Sequence, residues 1–323
     1  MVDDKQRTRL RGQERSQALL RLGRALHDLG RYEEALSAFQ EAIAETGSTA
    51  TTQTAVAITF CHLDRFEDAV NAFANAVAIE PANAGTRRRF ARLLLRMSRI
   101  EEAEEQIRQA IDLEPEKAAG RVLLATVLRR KRDYSEALAQ LRQAISVEPL
   151  DLSAHLETAR VLLASRQYKD AIEACQNAVQ VGPDSSVAYL LLAEACDRCG
   201  NIEESVMALQ HAINLSPEDS RLRVLLSGVM LKLNRTADAI ESGEKAVQLD
   251  PENSAAHSSL ARALLHDGRY RQALACIGKA IRISPRDASL LGLKGHILGR
   301  INDHQQALAA YKGAIEIAPR NPL

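Results

Sequence analysis

The sequence predicts an all-α fold, a solenoid of nine helix-turn-helix hairpins, on three observations. Eight of its nine prolines, Pro81, Pro115, Pro149, Pro183, Pro217, Pro251, Pro285 and Pro319, stand 34 residues apart. With each unit numbered 1 to 34 from Ser16, position 27 is alanine in all nine: Ala42, Ala76, Ala110, Ala144, Ala178, Ala212, Ala246, Ala280 and Ala314. Position 8 is always small: Gly23, Ala57, Ala91, Ala125, Ala159, Ala193, Ser227, Ala261 and Gly295. A period of this length marks a repeat array in which each unit buries its apolar face against the next. Such arrays work by presenting a surface, so a binding protein is expected and an enzyme is not.

Residues 1–15 read as a charged N-terminal extension. Residues 16–323 read as one array, with units starting at 16, 50, 84, 118, 152, 186, 220, 254 and 288. The unbroken period overrides the two-domain prior for 323 residues. Apolar residues at 46% supply a continuous core, and aromatics at 3% with no Trp leave it to Ala and Leu. The 42 basic and 42 acidic residues cancel, so bulk charge points to neither nucleic acid nor membrane. Met1 to Arg15 has no apolar stretch of the kind a secretory signal needs, and no run approaches a membrane span. Five cysteines, Cys61, Cys175, Cys196, Cys199 and Cys276, follow no framework spacing and suit a reducing compartment. A cytoplasmic location is expected.

Within each unit the elements follow from residue chemistry. Position 20 is alanine except for Ser205, and positions 20, 24 and 27 share one helical face. Small residues there let the two helices of a hairpin approach, and a larger side chain would overpack the contact by about 1–3 kcal/mol. Proline at position 32 ends the second helix, because it cannot donate into one and restricts the residue before it. Position 34 then caps the next helix with Thr49, Asn83, Asp151, Ser185, Asp219, Asn253 and Asp287, Lys117 alone breaking the rule. Gly30, Gly200 and Gly268 mark the turn inside the hairpin. Acids after that turn, such as Glu33, Glu34, Glu67 and Asp68, suit the positive end of the second helix. The first junction has Gly47 in place of proline, so a looser linker is expected there.

With Leu22-Gly23, Ala35 to Phe39, Ala69 to Phe73 and Ala307 to Tyr311 matching its small-and-aromatic pattern, the chain resembles the tetratricopeptide repeat family over residues 16 to 319. It departs mildly: position 4 never carries Trp, and position 11 is mostly Leu. The resemblance implies a right-handed superhelix whose inner groove is lined by the first helix of each hairpin, at positions 2, 5, 9, 12 and 13. Those positions hold twelve bases and three acids (Asp28, Glu194 and Asp197), a net of about +9 within a neutral chain. The density peaks in units three and four. Six arginines and no acid lie between Ala84 and Ile100, and Arg121, Arg129, Arg130, Lys131 and Arg132 follow. Arg88, Arg92 and Arg96 share one helical face, where like charges cost a few tenths of a kcal/mol per pair, on the order of 0.2–0.5.

Arginine's planar fork favours carboxylate or phosphate. The expected function is therefore a non-enzymatic scaffold that takes an acidic protein or peptide segment in this groove. Arg88, Arg92, Arg96, Arg129, Arg130 and Arg160 are its expected contacts, whereas Arg87 and Arg89 point away from the groove line. The alternative is an accessory region of a larger transferase-type enzyme, by the company such arrays keep. The family's Lys/Asn carboxylate clamp and its asparagine ladder both lack their asparagines here. A nucleic-acid partner lacks an aromatic stacking platform.

No catalytic residue, cofactor or metal site is expected. Cys196 and Cys199 form a CxxC, but they sit at positions 11 and 14, which hold Leu or Met in most other units, so core packing is expected of them. His27, His62, His266 and His296 fall at groove positions as polar lining, and His155 and His257 at position 4 as packing. The last helix carries Ala307, Leu308, Ala309, Tyr311, Ala314 and Ile315, with no polar cap after it. Three readings stay open for it: a homo-oligomer contact, a junction to further chain, or tolerated bare surface.

Overall fold

The computed structural model describes the backbone of residues 2–318 and the side chains of residues 12–318. Pro319 and the residues after it lie outside the described residues. Among the described residues there are eighteen α-helices and no strand. The first sixteen fall into eight hairpins: α1 (Val2–Asp28) with α2 (Tyr32–Thr46), α3 (Ala50–His62) with α4 (Phe66–Ile79), α5 (Ala84–Arg96) with α6 (Ile100–Leu113), α7 (Ala118–Lys131) with α8 (Tyr134–Val147), α9 (Leu152–Ala164) with α10 (Tyr168–Val181), α11 (Ser186–Cys199) with α12 (Ile202–Leu215), α13 (Ser220–Lys232) with α14 (Thr236–Leu249), and α15 (Ser254–His266) with α16 (Tyr270–Ile283). The ninth joins α17 (Ala288–Arg300) to α18 (His304–Ile317). The helices cluster into two compact units, Met1–Glu157 and Thr158–Leu323.

Each hairpin closes on its small residues. A Cβ on Gly295, at position 8, would stand 2.8 Å from the ring of Tyr311 at position 24 of the same hairpin. Gly23 meets Phe39 in the same way. The two serines that interrupt the alanine pattern are both buried and both donate across their hairpin. Ser205 Oγ bonds the carbonyl of Ala193, and Ser227 Oγ that of Ala239, each at 2.8 Å. A buried hydroxyl is thereby satisfied where alanine would need nothing.

In the first unit the largest buried side chains are Phe39, Phe73, Leu94, Ile107, Leu124, Leu128 and Leu141. Phe73 stacks on Phe90 of the next hairpin with centroids 5.7 Å apart. In the second unit one cluster runs from Ala193 to Ile297, through Leu209, Leu222, Leu264 and Ile277.

The junctions follow the sequence closely. From the second hairpin's end onward, the residue before each described period proline caps the second helix by donating to the position-27 carbonyl, as Glu80 does to Ala76 at 3.0 Å. Asn83, Asp151, Ser185, Asp219, Asn253 and Asp287 then accept from the opening amides of the next helix. Thr49 forms a reciprocal capping box with Thr52. At the Lys117 exception the cap comes from elsewhere: Glu148 Oε1, at the end of α8 in the same hairpin, accepts from the amide of Ala118 at 3.2 Å.

Candidate partner-binding site

Some first helices of neighbouring hairpins touch one another. In the first unit α1 meets α3 and α5 meets α7; in the second α13 meets α15 and α15 meets α17. The arginines expected to bind a partner sit on such helices, and most are engaged within the protein.

Arg88 Nη1 donates to Glu114 Oε2, and its side chain is only 15% exposed. Hydrogen bonds from Arg88 first, and from Lys117 second, hold the Glu114 carboxyl below its ordinary value. Arg96 is 59% exposed, pairs with Asp64 at 3.0 Å and lies over the Phe66 ring at 4.4 Å. Arg129 Nε donates at 2.7 Å to Glu157, whose side chain is buried. Arg130 donates to the Leu95 carbonyl of the preceding hairpin. Arg92 is exposed and has no partner among the described residues. Arg160 lies on α9 in the second unit, half-buried and with a partner of its own.

Position 13, counted with the groove from the resemblance, follows a different rule. In six hairpins its side chain reaches back to the preceding one. His62 stacks on Tyr32 with centroids 4.8 Å apart. Arg96 takes Asp64 and Arg130 takes the Leu95 carbonyl. In the second unit Lys232 closes on both oxygens of Asp197, His266 Nδ1 bonds Thr236 at 2.8 Å, and Arg300 donates to the Tyr270 hydroxyl at 3.0 Å. These side chains strap one hairpin to the next. Sequence reasoning missed this because each strap joins residues about 30 apart whose types differ from unit to unit.

Two arginines expected to point away are placed differently from each other. Arg87 is buried, donating to the Pro81 carbonyl at 2.9 Å and to Gln106 at 2.8 Å. Arg89 instead lines a cavity of about 320 Å³ with Arg24, so its expected outward direction is corrected. A second cavity of about 320 Å³, in the second unit, is mainly apolar, with Leu190, Leu191, Leu209, Leu225 and Val229 beneath Glu194.

Several histidines pack or bond within the protein. His27 stands edge-on to both Tyr32 and His62. His155 and His257 each donate from Nε2 to the carbonyl of the proline six residues before, Pro149 and Pro251, at 2.9 Å. Burial pushes the thiols of Cys175 and Cys196 up to about 12, where a thiolate is scarce. No cluster of three metal-ligating side chains occurs among the described residues. No described helix is long and apolar enough to cross a membrane.

Comparison with known proteins agrees with this architecture. A family model described as the C-terminal domain of cilia and flagella-associated protein 70 matches residues 115–322. Two tetratricopeptide repeat models match residues 63–126 and 16–47. No curated protein matches the sequence. Among solved structures, the APC/C hetero-tetramer Cut9-Hcn1 is similar with a TM-score of 0.59 at 15% identity, over 95% of this chain and 74% of that one. PilF of Pseudomonas aeruginosa is similar with a TM-score of 0.53 at 20% identity, over 63% of this chain and 93% of that one. At these identities the likeness is one of fold.

Proposed function

The chain belongs to the family of the cilia and flagella-associated protein 70 C-terminal domain, a tetratricopeptide repeat family, and from that premise we propose that it is a non-enzymatic scaffold whose first-helix face takes an acidic segment of a protein partner. Tetratricopeptide repeats support a protein-interaction role, and their fold is typically non-catalytic. The acidic character of the partner rests on the arginines of α5 and α7. Arg92 carries the reading: an exposed guanidinium, four residues from Arg88 on one side and from Arg96 on the other, with no acid of its own.

The six arginines divide their work in this proposal. Arg92 and the exposed Arg96 make the direct contacts. Arg88, Arg129 and Arg130 hold the frame through their internal partners and add to the local positive field. Arg160 plays its part by itself in the second unit. The five free thiols fit a reducing compartment such as the cytoplasm. Leu308 and Ile315, each more than half exposed on α18, are the face we propose for self-association.

The test is affinity capture from native lysate with the wild-type chain beside Arg92→Glu/Arg96→Glu, at low and at high ionic strength. The proposal expects partners retained by wild type, lost by the variant and shed as salt rises. Partner lists that are identical across all four conditions would sink it.

A further inference from the structure

The cavity in the first unit is built from three hairpins. Arg24 and His27 come from α1, Thr51, Thr54 and Ile58 from α3, and Thr86 and Arg89 from α5, with Asn83 just before it. Arg24 and Arg89 are both exposed, and neither has a partner among the described residues. This sets them apart from the arginines around them, most of which are tied to acids or carbonyls. Asp28 is the one carboxylate on the lining; its side chain is 82% exposed and lies 3.6 Å from His27. Two guanidinium groups around one cavity repel each other unless an anion sits between them.

The remaining donors suit the same occupant. Thr54 and Thr86 are buried, and their hydroxyls face each other at 3.4 Å, a contact too long to use up either group. Thr51 is exposed and makes no side-chain bond among the described residues. The cavity also takes in the opening turns of α3 and α5, where the helix dipole favours negative charge. Its volume of about 320 Å³ is at the small end of ligand sites and fits a single side-chain group.

We propose that this cavity binds a phosphoryl group carried by a protein segment, held between Arg24 and Arg89 with the threonine hydroxyls beneath it. Donor number decides for phosphoryl over carboxylate. Two guanidinium forks and three hydroxyls exceed the two oxygens of a carboxylate, while a phosphoryl group offers three acceptor oxygens and up to two negative charges. A protein-borne phosphoryl is favoured over a nucleic acid because the lining holds two rings, His27, packed edge-on against Tyr32 and His62, and Phe39, which is buried and offers no stacking face. The proposal does not depend on the acidic-segment reading of Arg92 and Arg96, and the two fail separately.

The test is calorimetric titration of the full chain with N-acetyl-O-phosphoserine methylamide, its glutamate counterpart and a short single-stranded oligonucleotide. The phosphoserine probe is expected to bind about tenfold tighter than the glutamate probe. Arg24→Gln/Arg89→Gln is expected to weaken it by about tenfold or more. Thr54→Val, which leaves the charge unchanged, is expected to weaken it several-fold. Arg142→Gln, an exposed arginine on α8, should have no effect. Since Arg24 and Arg89 are exposed and unpaired, circular dichroism melts of their variant should overlay wild type. The proposal is overturned if the double variant binds as wild type, if glutamate binds as well as phosphoserine, or if the oligonucleotide outcompetes both.

Discussion

His257 Nε2 donates to the carbonyl oxygen of Pro251 at 2.9 Å, and the imidazole that does so is buried. The proline that ends one helix is thus held by the fourth residue of the next unit. Arg87 makes the same bond to Pro81 through Nε at 2.9 Å, and His155 makes it to Pro149. Position 4, where the wider family often packs a large ring, carries in these three units a flat group that donates to the preceding proline's carbonyl. His257→Ala should cost about 1–3 kcal/mol, through the lost bond and the space left behind. His257→Arg should recover part of that loss, since arginine already fills this role at Arg87. Urea midpoints of the three chains decide the matter, and equal losses for Ala and Arg would show that the bond is irrelevant.

The cap at Ala118 is borrowed. Lys117 cannot accept from the opening amides of α7, and Glu148, at the end of α8, accepts from the first of them. Glu148→Ala should therefore destabilise the start of α7 by about 0.5–2 kcal/mol, the usual worth of a cap. Hydrogen exchange at the Ala118 amide should quicken accordingly. Adding Lys117→Asp should recover stability by capping the Ala119 and Gly120 amides, while the Ala118 amide stays as quick to exchange as in Glu148→Ala. If Glu148→Ala leaves the Ala118 amide as protected as before, the bond contributes nothing.

The turn inside every hairpin is left-handed at position 15. Gly30, Gly200 and Gly268 have φ of 76°, 92° and 77°. Asp64, Ser98, Arg132, Arg166, Asn234 and Asn302 adopt the same region, with φ from 55° to 65°. Outside glycine that conformation costs about 1–2 kcal/mol, least for Asn and Asp. Arg166→Gly should stabilise by about 0.5–1 kcal/mol after the extra entropy of glycine in the unfolded chain is counted. Asn302→Gly should gain less. Gly268→Val should lose more than either gains. A denaturant series on these three variants gives the ranking, and a loss at Arg166→Gly would contradict it.

These cases show what the sequence exposes and what it hides. The hairpins, their period and their prolines are legible because the same residue type recurs at the same place. The left-handed turn shows only at its three glycines, since the other six residues pay for the conformation rather than advertising it. The basic face is legible as composition, in the run from Arg87 to Arg99. Which of its cations are available is not, because Arg88, Arg96, Arg129 and Arg130 are satisfied by groups that only the stacking of hairpins brings near. Arg89 was hidden for the opposite reason. A position-by-position rule turned it outward, whereas the cavity is formed by three hairpins at once.

The Arg88 and Glu114 pair ties folding to pH. Arg88 and Lys117 hold the Glu114 carboxyl below its ordinary value. A carboxyl whose folded value is depressed binds protons more readily when unfolded, so its contribution is fully present above the unfolded value, about 4.3. The contribution is lost as pH falls through the lower folded value. Arg88→Gln removes the first cause of that depression while keeping a side chain of similar reach. Wild type should exceed Arg88→Gln in stability at pH 7, and the gap should narrow steadily as pH drops below 4.3. Glu114→Gln should show the same narrowing, since it leaves no carboxylate to protonate. Urea midpoints measured from pH 7 to pH 3 test this. A gap that stays constant across the range would mean that Arg88 stabilises through packing of its largely buried side chain and not through the ion pair.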